Sequence, residues 1–223
     1  ALLIFDYLRA FHRNKAINPD TGIKNPTITN HSWSYRYDFS DILEKPSFDL
    51  SDFVSVNYRG TTYNSSNPNP SGWTFAGLES DFGFASNKMK INSDYAAINA
   101  DVEDAISEGV VVVAAAGNNN FHCVPDGDPD YSNTVSFING GTYFYNRGAA
   151  PGNSLNAICV GSLSNHHNFR RSTFSNFGPL IDIFAPGNKI LSAYDSSGLA
   201  DNKYGGAPNY YYPINGTSMA SPQ

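Results

Sequence analysis

The segment "NGTSMASP" sets Ser218 between Thr217 and Met219, with Gly216 before them and Pro222 shortly after. A serine hydroxyl attacks a carbonyl only when a base takes its proton. At the start of a helix it has further help, because the unpaired N–H groups and the positive end of the dipole stabilise an oxyanion forming beside it. The segment suits such an entrance. Gly216 permits an uncommon backbone angle, Met219 and Ala220 open the turn, and Pro222 is tolerated in a first helical turn, where its missing N–H would be unpaired anyway. An ordinary capping serine before a helix has the same pattern.

A second group able to do chemistry ends the run "VVVVAAAGNNN". The β-branched aliphatic stretch reads as a strand buried on both faces. Ala115, Ala116 and Gly117 follow it, and their small size leaves room for a substrate side chain. The carboxamide of Asn118, just past the glycine, can donate to an oxyanion. Taken alone, Asn118 also reads as a turn residue after a core strand.

The elements that must position these groups alternate helix and strand. In residues 1–13, Leu2, Leu3, Phe5, Leu8 and Phe11 recur at helical spacing and predict an amphipathic helix. "PTITNHSWSY" predicts a short strand. "SDYAAINADVEDAISEG" predicts a helix with Ser93 as N-cap and Gly109 as its stop. "NAICVGSL" and "LIDIFAPG" predict two more strands. The order implies an α/β fold with a mainly parallel sheet flanked by helices. Two stretches, at about 37–92 and 119–153, lack helical or two-residue periodicity and read as long irregular or partly β insertions.

"VVVAAAGN", "VGSL…STFSNFGPLIDIFAPG" and "NGTSMASP", in this order and at these separations, resemble the subtilisin-like serine proteases. The resemblance covers the first helix, the strand ending "NHSWSY" and nearly everything from Ser93 to Gln223. It implies a peptidase S8 fold, a single partial catalytic domain over residues 1–223, and cleavage of peptide bonds through an acyl-enzyme. By position it makes Ser218 the nucleophile and Asn118 the side-chain oxyanion donor, with Thr217 supporting that hole. Ser32, Trp33 and Ser34 match the strand that pairs with the substrate backbone, and Ala115, Ala116 and Gly117 the wall of the pocket before the scissile bond. The family usually has glycine where this chain has Ser34, so the hydroxymethyl group there narrows or re-aims that pocket.

The resemblance also implies a triad aspartate and histidine upstream of residue 1 and a long helix beyond Gln223, so the 223 residues read as an internal piece of a longer protease. The five histidines, His12, His31, His122, His166 and His167, all lack the family's His-Gly-Thr-His context. "PDTGI" spells the aspartate motif at Asp20, but it follows the polar "RNKAINP" and not an apolar strand, so Asp20 reads as a turn residue beside Gly22. Two other functions remain open. One is a non-catalytic binding or assembly domain on the same scaffold, in a virion or at a cell surface. The other is an α/β-hydrolase esterase, whose Asp and His should follow the serine and which leaves "AAAGN" and "APG" without a role.

Composition bounds the rest. A net charge of −6 with no basic block excludes a nucleic-acid surface, and no apolar run reaches the length of a membrane-spanning helix. The implied partner is a polypeptide substrate. No cofactor is required for the chemistry, and the resemblance assigns no catalytic metal. The carboxylates of Asp126, Asp128 and Asp130 are a candidate for structural Ca²⁺ or a solvated acidic turn. Cys159 falls in a strand that reads as buried and Cys123 in a loop; they pair or stay as thiols, with unpaired thiols the favoured reading. Abundant Tyr, Pro and Gly point to a loop-rich protein outside the cell or on a virion or cell surface.

Overall fold

The computed structural model describes residues 2–44, 48–84, 90–138, 140–166, 168–194 and 210–223. His167 lies outside them. A parallel sheet carries the family-like motifs. Its four strands are β1 (Thr27–His31), β6 (Val110–Ala115), β9 (Ile158–Leu163) and β10 (Ile183–Pro186), in the order β1-β6-β9-β10. Thr27 pairs with Val110, Val113 with Ile158 and Ile183 with Val160, so every connection is a crossover that starts the next strand at the same edge. Helices α1 (Leu2–Arg13) and α4 (Ala96–Ser107) pack on one face. There Phe5, Ile98, Val102 and Ala105 meet Val110 and Val112 in one buried cluster. A salt-bridge clamp joins the helices, with Arg9 2.7 Å and Arg13 3.1 Å from the Glu108 carboxylate. Hydrogen bonding and charge from Arg9 hold that carboxyl below its usual range against a smaller opposing effect of burial.

Several local expectations need correction. In α1 the buried side is Phe5 and His12, whereas Leu3 (82% exposed) and Phe11 (48%) face outward. His12 is held there because its Nδ1 lies 2.8 Å from the Thr27 hydroxyl. The N-cap of α4 is Tyr95, not Ser93. Ser93 is buried instead, donating its N–H to Tyr35 and accepting from Ala150. Gly109 does end the helix, with φ +98°. Strand β6 is not buried on both faces, for Val111 is 36% exposed and Ile28 beside it 68%.

The two insertions hold more regular structure than their sequences show. The first contains β2 (Arg36–Asp38), α2 (Phe39–Leu43), a 3₁₀ turn at Leu50–Asp52, β3 (Phe53–Tyr58), β4 (Thr61–Tyr63), α3 (Phe75–Phe82) and β5 (Lys90–Asn92). The second adds β7 (Thr134–Phe137) and β8 (Gly141–Phe144). Across the gap between them β3 pairs with β7, giving a four-stranded antiparallel sheet β4-β3-β7-β8. Its core is aromatic. Phe53 lies 5.1 Å from Phe137 and 6.2 Å from both Phe75 and Phe84, and Phe84 lies 4.7 Å from Tyr145. Cys123 and Cys159 are free and buried, and burial pushes the Cys123 thiol up to about 12. A last hairpin, β11 (Ile190–Tyr194) with β12 (Tyr210–Ile214), delivers the chain to α5 (Thr217–Ala220).

Candidate active site

The two sequence-distant motifs meet. The loop after β6 turns at Gly117, with φ +100°, and α5 starts against it. Asn118 Oδ1 accepts from the Thr217 backbone N–H and from the Thr217 hydroxyl, each at 2.9 Å. The same hydroxyl accepts from the Gly117 N–H at 3.1 Å. Thr217 is fully buried, so these bonds fix the Asn118 carboxamide with its oxygen inward and its NH₂ turned the other way.

Gly216 supplies the space those donors face. A Cβ placed on it would lie 3.6 Å from Asn118 Nδ2 and 3.6 Å from Ser218 N. The absence of a side chain on Gly216 thus leaves one point within 3.6 Å of two nitrogens, with Met219 Sδ 3.3 Å from it. Gly216 is seated by its N–H, which donates to Gly187 O at 2.8 Å, and Gly187 in turn has no room for a Cβ, which would come 2.6 Å from Gly216 O. That contact gives the glycine of "APG" a role in holding the serine turn.

Ser218 Oγ donates to Ser32 O at 3.2 Å, and Ser32 Oγ donates back to Ser218 O at 2.9 Å. Ser221 Oγ donates to Asn30 Oδ1 at 2.5 Å, tying the end of α5 to β1. Ser32, Trp33 and Ser34 lie past the end of β1, which stops at His31 opposite Ala114, and belong to no strand. The Ser32 carbonyl and hydroxyl both bridge to the serine helix. Trp33 packs with His31 and Phe5, 5.6 Å and 6.5 Å between ring centroids. Ala115 and Ala116 are each 4% exposed, and Gly152 comes close behind, its would-be Cβ 3.3 Å from Ala115 O.

No described histidine is bonded to Ser218. His31 is buried, its ring 5.1 Å from Phe5 and its Nε2 3.0 Å from Thr29 Oγ1, and burial lowers its pKa. His12 bonds Thr27, and His122 Nδ1 lies 3.4 Å from Asp130. Asp20 sits in an exposed turn, its N–H donating to Asn18 Oδ1 at 2.8 Å beside Gly22 at φ +71°.

The acidic turn does not fit a cation site built on three aspartates. Asp130 gives its carboxylate to Arg59 at 2.6 and 2.9 Å, Asp126 accepts from the Gly127 N–H, and Asp128 accepts from the Asp130 N–H. Among the described residues no group of three or more His, Cys, Asp or Glu converges.

One structural residue at the site escaped the sequence reading. Asn176, inside "STFSNFGP", is fully buried. Its Nδ2 donates to Ala116 O at 2.7 Å, while its Oδ1 accepts from the N–H groups of Asn119 (3.2 Å) and Phe121 (3.0 Å). It thus spans the loop carrying Asn118. A Cβ on Gly117 would stand 2.6 Å from Asn176 Nδ2, which adds a steric reason for that glycine. The isolated asparagine in a polar segment carries no periodic signal.

A family model described as Subtilase family (Peptidase_S8) matches residues 14–223. An alkaline proteinase of Hapsidospora chrysogena is 37% identical over 135 residues, 60% of this chain and 25% of that protein. A subtilisin-like protease 2 of Pseudogymnoascus destructans is 35% identical over 152 residues, 68% of this chain and 29% of that one. A solved protease structure from Pseudoalteromonas arctica aligns with a TM-score of 0.41 at 27% identity, covering 59% of this chain and 32% of the other. The chain spans between a quarter and a third of the length of these two curated relatives. With the family model matching nearly its whole length, this chain belongs to the subtilase family.

Proposed function

We propose that this chain supplies the nucleophile and the oxyanion hole of a serine endopeptidase. The nearness of Asn118 Nδ2 and Ser218 N to one point beside Gly216, each 3.6 Å from it, carries the reading. A substrate carbonyl placed there has its oxygen between two donors and its carbon within reach of Ser218 Oγ. Attack makes a tetrahedral oxyanion; collapse breaks the C–N bond, the leaving amine takes the proton that came from Ser218, and the acyl group stays on Ser218 for water to remove. The base that accepts the Ser218 proton, and the carboxylate behind it, come in this reading from outside residues 1–223. Until that base engages, Ser218 donates to Ser32 O.

Substrate polypeptide lies along Ser32, Trp33 and Ser34 as an added strand, because that segment runs on from β1 and is unpaired by the sheet. Ala115, Ala116 and Gly117 wall the pocket for the side chain before the scissile bond, and Thr217 holds Asn118 in place. The loop-rich composition supports work outside the cell. No helix among the described residues is long and apolar enough to cross a membrane.

The test uses the complete protein. Ser218→Ala should abolish both peptide hydrolysis and labelling by a serine-directed phosphonate, with an unchanged circular dichroism spectrum. Unaltered labelling in the variant removes Ser218 from the mechanism. A wild-type protein that neither cleaves peptide nor takes up the probe moves the reading to a binding or assembly domain.

A further inference from the structure

Asn118 has no main-chain hydrogen bond of its own among the described residues, so its neighbours set where it stands. One residue holds both of them. The Asn176 N–H donates to Gly117 O at 2.9 Å, and Asn176 Oδ1 accepts from the Asn119 N–H at 3.2 Å. The same carboxamide reaches further along the loop in each direction. Its Nδ2 donates to Ala116 O at 2.7 Å, and its Oδ1 accepts from the Phe121 N–H at 3.0 Å. Asn120 is bonded separately, its N–H to Phe174 O at 2.9 Å. On either side of this stretch the chain is held main chain to main chain, Ala116 N–H to Val160 O at 3.0 Å and Phe177 N–H to Phe121 O at 3.0 Å.

Asn176 is itself anchored to the parallel sheet. Its carbonyl accepts from the Ser175 hydroxyl at 2.9 Å, and that hydroxyl accepts from the Ser162 N–H in β9 at 2.9 Å. Ser175 and Asn176 are both fully buried. The sheet thus fixes Asn176, and Asn176 fixes the loop. A carboxamide suits the place because it offers donors and an oxygen with two lone pairs at once. A carboxylate would set a second oxygen against Ala116 O, and an apolar side chain would leave three main-chain groups unpaired.

We propose that Asn176 is a positioning residue for the reaction at Ser218, holding the main chain on both sides of Asn118 so that its carboxamide keeps its place beside Ser218 N. The assignment deepens the serine-endopeptidase reading and rests on it. Asn118 then has two supports. Thr217 turns its side chain through the bonds to Oδ1, and Asn176 places its backbone. The first support adjoins the nucleophile in sequence, whereas the second comes from the segment between β9 and β10. Asn176 is closed to solvent, so it touches no substrate and acts only through the loop. A donor displaced by about 1 Å can cost about 10²-fold in rate while the groove for the substrate chain stays intact. The effect therefore falls on kcat, where the oxyanion charge develops.

The test is a double-mutant cycle in the complete protein, with kcat per phosphonate-titrated active site and KM measured for each variant. Asn176→Ala should lower kcat by about tenfold to a hundredfold and leave KM within about twofold. Asn118→Ala has already lost the donor, so adding Asn176→Ala to it should cost no further kcat. Asn176→Ala also unpairs three main-chain groups and melts earlier, so the same cycle is run with Asn176→Ser, which keeps a hydroxyl for one of them. Asn176→Ser should lower kcat about threefold beside Asn118 and not at all beside Asn118→Ala. A normal kcat per active site in either folded variant overturns the proposal, and so does a fully additive loss in the double variant. The protease reading fails by a different sign. A wild-type protein without turnover or phosphonate labelling overturns both, whereas an active wild type indifferent to Asn176 overturns this assignment alone.

Discussion

The parallel sheet and the antiparallel sheet of this chain are built on different chemistry. Around β6 the core is aliphatic and small, with Val110, Val112, Val102, Ile98 and Ala105 filling the layer under α1 and α4. Around β3 it is aromatic, with Phe53, Phe75, Phe84, Phe137 and Tyr145 meeting at tilted or edge angles. The first region ends its strands in Ala115, Ala116, Gly117 and Gly187, where main chain approaches main chain and a functional loop can form. The second ends in hairpins and an ion pair between the exposed Arg59 and the buried Asp130. The first is shaped to hold donors at a point, and the second to hold itself together.

Variants should therefore separate by half. Phe53→Ala, which removes the ring at the centre of the aromatic core, should cost about 3–5 kcal/mol of unfolding free energy. The rate per titrated active site should stay normal, and a matching fall in kcat would erase the distinction between the two sheets. Gly216→Ala should behave in the opposite way. Its φ of 160° is extended backbone open to any residue, but the new methyl takes the point beside Asn118 Nδ2 and Ser218 N and presses only on the flexible Met219 side chain, 3.3 Å away. The expected loss is about 10²–10³-fold in kcat, the effect of disabling an oxyanion donor, with a near-normal melting curve. Full activity in this variant would move the oxyanion site elsewhere.

Thr217→Val should act more mildly, by way of Asn118. It removes the hydroxyl that bonds Asn118 Oδ1 and the Gly117 N–H but keeps the backbone bond. A drop of about tenfold in kcat with little change in KM is expected, or about 1.4 kcal/mol. Thr217→Ser, which keeps the hydroxyl, should restore the rate, and a KM effect alone would make Thr217 a substrate contact instead. The smallest effect belongs to pH. Arg59 hydrogen-bonds Asp130 and holds its carboxyl below the ordinary range, against a smaller effect of burial. A folded pKa below the unfolded one gives stability that is complete above the unfolded value, near ~4, and is lost as pH falls through the folded value. Acid should therefore loosen β3 and β7 first, and Asp130→Asn should flatten that dependence in amide exchange of the two strands. An unchanged pH profile would separate the ion pair from the stability of the sheet.

Legibility followed the same division. Val110 to Ala115, Ile158 to Leu163 and Ile183 to Pro186 are short apolar runs, the first and last of them closed by glycine or proline, and they emerge as strands at nearly the expected bounds. Phe53 to Tyr58 is a strand of equal length, but its pairing partner lies across a long sequence gap at Thr134 to Phe137. Its half-buried pattern "FVSVNY" shows no clean alternation, and α3 hides among Asn, Pro and Gly. Ser218 and Asn118 stand out as candidates through motif and order, since their types can carry the chemistry, and the structure brings their two loops together. Asn176 was missed because its role is three hydrogen bonds to a loop sixty residues away, and Ser93 was misread as a cap because a serine before a helix has that form whether or not it bonds.

The central claim is that the carboxamide of Asn118 is aimed at charge that develops during catalysis. Asn118→Ala in the complete protein tests it directly, with kcat and KM measured by active-site titration beside a melting curve. The oxygen at that point carries full negative charge only in the tetrahedral state, so the loss should fall on kcat, by roughly 10²–10³-fold or about 2.7–4 kcal/mol, and hardly on KM. A variant that melts earlier but turns over at the normal rate per active site would show Asn118 to be a turn residue, and would contradict the account.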